Sequence, residues 1–237
     1  MNELADFLAA VRQGDGVQVS ARIGAHPQLV RAAGEHDKTA LHWAAELDRI
    51  DVARVLVNAG ADIEARTSWG ASPLDWAATM GSARVAEFLL SLGASGLNLI
   101  VAAALGMQKE VEDIVESGVD LSTQRRRAAP LTADDYWPSD SAHVQGDVLS
   151  DALYGAARNG HQQTVEYLLS RGANIDAKGV FGATGLHWAA INGHANTVEL
   201  LVARGANLTL RDARFDATPE GWAVEGGHPD LFALLRG

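Results

Sequence analysis

The chain has 237 residues, 47% of them hydrophobic and 21% charged, with a mean hydropathy near zero. That is enough for one sizeable buried core or for six to seven small repeats. The formal net charge of −11 argues against nucleic acid as a partner, because phosphate binding needs a basic footprint. The absence of cysteine excludes disulfides and thiolate metal sites. The most apolar stretch, "LNLIVAAALGM", is too short to span a membrane, and the opening "MNELADFLAAVRQGD" lacks the basic-then-apolar order of a secretory signal. The expectation is a cytoplasmic protein, monomeric, without membrane contact. The 16 arginines against three lysines hint at a GC-rich bacterial genome.

Residues 1–34 come first. "FLAAVRQGDGVQVSARIGAHP" reads as two short helices around a Gly-Asp turn, an N-terminal cap unit. Units two to four, residues 35–121, contain "LHWAA" at Leu41–Ala45, a pentapeptide that returns at Leu186–Ala190. Aligned on the second alanine, the anchors along the chain are Ala45, Ala78, Ala103, Ala157, Ala190 and Val224, at spacings of 33, 25, 54, 33 and 34. A glycine stands 15 residues after the first five anchors, at Gly60, Gly93, Gly118, Gly172 and Gly205. Another often follows the anchor by three, ending a helix where positive φ is needed. Thr39, Ser72, Asp151, Thr184 and Thr218 are predicted N-caps. The second helix of each unit carries an apolar face, such as Val52, Val55, Leu56 or Val165, Leu168, Leu169.

The spacing of 25 is eight residues short of the period, and the shortfall lies after Gly93. The spacing of 54 holds an excursion, residues 122–148, which includes the basic run Arg125-Arg126-Arg127 and a predicted short helix at "LTADDYW". This segment reads either as a lid over a site or as a tolerated insertion that makes up for the shortened spacing before it. Units five and six occupy residues 149–212. Residues 213–237 make a C-terminal cap unit in which Glu220 stands at a core leucine position.

The residues at these positions, "TALHWAA", "SPLDWAA", "TGLHWAA" and "TPEGWAV", with "NGHQQ", "NGHAN", "AGADIEA" and "SRGANIDA", resemble the ankyrin repeat family over nearly the whole chain. The resemblance implies an all-α solenoid of about seven helix-turn-helix units in one domain, residues 1–237, interrupted between units four and five. It implies that His42 and His187 tie neighbouring fingers by hydrogen bonds. It also implies that the first helices and fingers line a concave groove used for binding.

Where this family more often has leucine, the column after the histidine holds Trp43, Trp76, Val101, Gly155, Trp188 and Trp222. The large pairs flank a small pair, so the groove is expected to be widest beside Val101 and Gly155. Groove-facing residues Thr79, Asn159 and Asn192, finger aromatics Trp69, Phe181 and Phe215, and Trp137 with Tyr136 of the insertion would complete an aromatic-walled site. No phosphate loop, nucleophile elbow or "HExxH" is present, so no cofactor and no metal are expected. Two functions fit. One is a binding protein whose groove takes a protein partner. The other is a cofactor-independent acid–base lyase or cyclase on a bulky apolar small molecule, with Asp75, Glu46, Arg158, His143 and Tyr136 as its catalytic candidates. The sequence leaves open whether the chain is an enzyme.

Overall fold

The computed structural model describes residues 3–68, 70–121 and 148–236. Among them fourteen α-helices fall into seven consecutive pairs. These are α1 (Glu3–Gln13) with α2 (Gly16–Ala25), α3 (Ala40–Glu46) with α4 (Ile50–Asn58), and α5 (Pro73–Met80) with α6 (Ala83–Ser91). Next come α7 (Leu99–Ala104) with α8 (Gln108–Glu116), and α9 (Val148–Arg158) with α10 (Gln162–Ser170). The last are α11 (Gly185–Ile191) with α12 (Ala195–Ala203), and α13 (Pro219–Gly226) with α14 (Phe232–Leu235). Seven pairs match the seven units in the sequence. Most of the long excursion, including the lid reading and the helix expected at "LTADDYW", lies outside the described residues. No described helix is long and apolar enough to cross a membrane.

The described residues sort into two compact units that meet in sequence at Leu97–Asn98. That point falls in the shortened spacing. The N-terminal unit holds α1 to α6, and within it the first helices α1, α3 and α5 stack in order, as do α2, α4 and α6. The C-terminal unit holds α7 to α14, stacked α7–α9–α11–α13 on one side and α8–α10–α12–α14 on the other.

Two leucine columns explain why the pairs stack. Leu41, Leu74, Leu99, Leu153 and Leu186 stand four residues before their anchors and are fully buried. Leu56, Leu89, Leu168, Leu201 and Leu235 do the same for the second helices. Each burial stabilises by roughly 1.5–3 kcal/mol. The anchor alanines let neighbouring first helices approach closely. In the terminal repeat Glu220 breaks the first column; its half-exposed carboxylate pairs with Arg236 at 2.7 Å.

Local signals set the helix starts. Thr39 and Thr184 form capping boxes with His42 and His187, and Ser72 forms one with Asp75. Pro73 and Pro219 occupy the first helical turn, where a missing N–H loses nothing. Asp151 is a correction: it lies inside α9, which begins at Val148. The earlier start buries Val148 and Ser150, and the Ser150 hydroxyl accepts a hydrogen bond from the Asn174 amide at 2.8 Å.

The small pair in the tryptophan column also has a packing role. Val101 is fully buried on α7. A Cβ added to Gly155 would meet the Ala104 Cβ at 3.1 Å, so glycine lets α9 close onto α7. The width expected beside Val101 and Gly155 is taken up by helix-on-helix contact.

Candidate functional site

The first-helix histidines His42 and His187 are built into the scaffold. The Nδ1 atom of His42 accepts from the Thr39 amide at 3.2 Å and from the Thr39 hydroxyl at 2.8 Å. Its Nε2–H then donates to the Ala71 carbonyl of the next finger at 3.1 Å. His187 repeats the arrangement with Thr184 and with the Ala217 carbonyl at 3.2 Å. Both rings are therefore neutral, since a second proton would face the backbone N–H. Burial is the main cause that pushes the His42 pKa down to about 4 and lowers that of His187 as well.

Asp75 replaces histidine in the third repeat and takes over only its capping half. Its carboxylate accepts from the Ser72 amide and hydroxyl, each at 2.9 Å, and approaches Arg66 at 3.4 Å. Asn159 and Asn192 join adjacent repeats, with side-chain amides donating to the carbonyls of Ala104 at 2.7 Å and Arg158 at 2.9 Å. His161 and His194 bond the same two carbonyls, each at 3.1 Å. Thr79 is buried and donates to the Asp75 carbonyl at 2.8 Å.

The tryptophans form two pairs. In the N-terminal unit, Trp76 is buried and Trp43 half-buried. The Lys38 ammonium lies 3.4 Å from the Trp43 ring centre and 3.8 Å from that of Trp76, and the Arg12 guanidinium also lies over Trp43, at 3.8 Å. Lys38 is ion-paired with Glu46. Burial is the main cause that lowers the Lys38 pKa, against the pull of Glu46 upward.

In the C-terminal unit the rings touch each other. Trp188 and Trp222 meet edge to face with centroids 5.0 Å apart, Phe181 stacks on Trp188 at 6.2 Å, and Phe215 meets Phe181 and Trp222, each at 6.2 Å. Arg158 stands 4.0 Å over Trp188, and Arg214 lies over Phe181 at 5.0 Å and Phe215 at 5.1 Å. The Trp222 indole donates to the Asp212 carboxylate at 3.0 Å. That carboxylate also accepts from the amides of Arg214, Phe215 and Ala217 at 2.7–3.0 Å. Burial alone would raise the Asp212 pKa, but these hydrogen bonds outweigh it and the net shift is downward. The Trp188 Nε1–H is buried with no acceptor among the described residues.

The structure thus brings Trp43, Trp76 and Glu46 together, and Trp188 with Trp222. Tyr136, Trp137 and His143, expected to roof or serve the site, lie outside the described residues, as does Trp69. Among the described residues no group of His, Asp and Glu is placed to hold a metal. Sequence reading missed Lys38, Arg12, Asp212 and Arg214. For Lys38 a signal existed: its place, one before the helix cap, is Ala71, Ala183 and Ala217 in other fingers.

The sequence matches the family described as "Ankyrin repeats (3 copies)" over residues 7–99 and 153–236, well over half of the chain. The chain belongs to the ankyrin-repeat family. Three relatives show how widely the module is used. The fruit fly Neurogenic locus Notch protein is 34% identical over 35% of this chain and 3% of its own length. A rice BTB/POZ domain and ankyrin repeat-containing protein is 33% identical over 61% of this chain and 28% of its own. Mouse Protein phosphatase 1 regulatory subunit 27 is 36% identical over 37% of this chain and 57% of its own. The chain spans less than two thirds of the length of each. The crystal structure of the human ASB11 ankyrin repeat domain aligns over 98% of this chain and 97% of that one, with a TM-score of 0.47 and 23% identity.

Proposed function

We propose that this chain is a protein-binding module and that the aromatic face of its C-terminal unit receives the partner. The observation that carries the reading is Phe215. It sits on a finger, is 61% exposed, and continues a ring cluster that runs through Phe181 and Trp222 to Trp188. Aromatic and arginine side chains dominate the energetics of interfaces, and Arg214 lies beside the exposed ring. The partner chemistry that fits is an apolar side chain against Phe215 with a carboxylate near Arg214. A relative named as a regulatory subunit of a phosphatase is consistent with action on another protein.

The reading as an acid–base enzyme draws less support. Asp75 is engaged in a helix cap and Glu46 in an ion pair with Lys38. A photo-crosslinking amino acid at position 215, compared with one at the exposed Glu199 on α12, tests the binding reading inside cells. The expected result is a discrete protein adduct from 215, none from 199, and loss of the adduct with Arg214→Glu. No adduct at 215, or the same adducts from both positions, overturns it.

A further inference from the structure

Lys38 has no part in that surface, and it occupies an unusual place. Other fingers put an alanine there: Ala71 and Ala183 are buried and Ala217 is half-buried. Lys38 is only 7% exposed. Its ammonium lies within 4 Å of two indole ring centres, and its ion-pair partner Glu46 follows Trp43 by one helical turn, so ring and carboxylate share a face of α3. At the Glu46 position the C-terminal repeat with Trp188 has Ile191, so the lysine and its carboxylate occur together where this tryptophan pair is.

Two indole faces and a carboxylate around a positive charge are the elements of a cation-recognition cage. A primary ammonium is a poor occupant. It carries three N–H donors and is strongly hydrated, yet Glu46 is its one hydrogen-bond acceptor among the described residues. The remaining N–H groups meet ring faces. An alkylated ammonium has no such donors to satisfy and loses less hydration on entry. Lys38 reaches the cage from the finger rather than from a packed helix. The two residues before it, His36 and Asp37, hold positive φ of 59° and 58°, the left-handed region that His and Asp enter more readily than most side chains, so the finger turns sharply just before the lysine. Withdrawal of the lysine would leave the leucine columns untouched. Leu47 and Met80, each four residues after a cage tryptophan and 37% exposed, offer an apolar rim for the stem of an incoming cation.

We propose that Trp43, Trp76 and Glu46 form a recognition site for an alkylated ammonium, filled in cis by Lys38 until the ligand exchanges with it. Both a free choline-like compound and a methylated lysine side chain present this chemistry. The proposal goes beyond the partner surface and shares no residue with it, so either can fail alone.

The test is a titration of the full chain with tetramethylammonium chloride against matched ammonium chloride, read on indole N–H resonances assigned by single Trp→Phe variants. The expected result is a saturable shift of Trp43 and Trp76, with Trp188 and Trp222 unmoved and no response to ammonium. Lys38→Ala should bind about tenfold tighter, since a competitor that fills the site reduces apparent affinity by the fraction left open. Glu46→Gln should weaken binding several-fold while the chain stays folded by circular dichroism, which guards against a misfolded Trp43→Ala. Choline and a short trimethyllysine peptide then separate the two sources by which binds tighter. No saturable shift in the wild-type chain, equal affinity with and without Lys38, or an equal response to ammonium overturns the proposal. Binding by Lys38→Ala alone also overturns it, because Lys38 would then be a permanent plug.

Discussion

In the C-terminal unit the two tryptophans of the column rest on each other, while in the N-terminal unit a lysine stands over both rings. The repeat register is the same in the two places. The difference lies in what the neighbouring finger supplies. Before α11 and α13 the finger brings alanine at the cap-minus-one position and a phenylalanine at its tip, and before α13 also Asp212, which fastens Trp222 through its indole N–H. Before α3 the finger brings Lys38, and α3 itself supplies Glu46. One scaffold thus carries an aromatic cluster closed by ring contacts and, elsewhere, a pair of rings around a charge. A repeat fold makes this easy, because helix packing is set by the leucines and alanines and leaves finger residues free to vary.

The largest effect expected from this contrast is at the tryptophans themselves. Trp222→Ala should cost about 3–5 kcal/mol, since a buried ring is lost and the Asp212 carboxylate loses a donor. Trp43→Ala, at a half-buried ring, should cost less, about 1–2 kcal/mol. Urea denaturation of both variants checks this, and equal losses would remove the distinction between the pairs.

Acid should act on both units in the same direction, because each holds a buried neutral histidine on a first helix. The folded pKa of His42 is depressed to about 4, so the unfolded chain binds the proton first as pH falls. Stability is then fully present above about pH 6.5 and declines between 6.5 and 4, by roughly 3 kcal/mol for His42 alone. His187 shifts in the same direction and adds to the loss. Denaturation midpoints measured from pH 8 to 4 should fall across that window. A flat profile would mean that the rings accept a proton without leaving their sites.

A smaller difference should separate the histidines from Asp75. His187→Ala loses both a capping interaction and a bond to the following finger and should cost about 2–3 kcal/mol. Asp75→Ala loses the cap and should cost about 1 kcal/mol. Thermal denaturation ranks the two, and the reverse order would place Asp75 in a role beyond capping.

Much of the scaffold could be read directly from residue spacing. The anchor alanines, both leucine columns and the caps at Thr39, Ser72, Thr184 and Thr218 act over a few residues, and their chemistry repeats with the period. Asp151 escaped this logic because α9 continues upstream to bury Val148. Asn159 and Asn192 were legible as positions on the face but not as repeat ties, since their acceptors lie 55 and 34 residues away in sequence. Gly155 looked like an opening because a missing side chain marks space in a sequence. In the fold, that space is closed by Ala104.

By itself the sequence determined the repeat, its register, the family and the column in which the tryptophans stand, because each depends on a periodic pattern of short-range interactions. Only the tertiary structure decided what those tryptophans touch. Lys38 over Trp43 and Trp76, Asp212 on Trp222 and Arg158 over Trp188 are contacts between a helix and another element, a finger or the preceding repeat. Which charge reaches which ring depends on how elements stack, and residue spacing along one element carries no record of that.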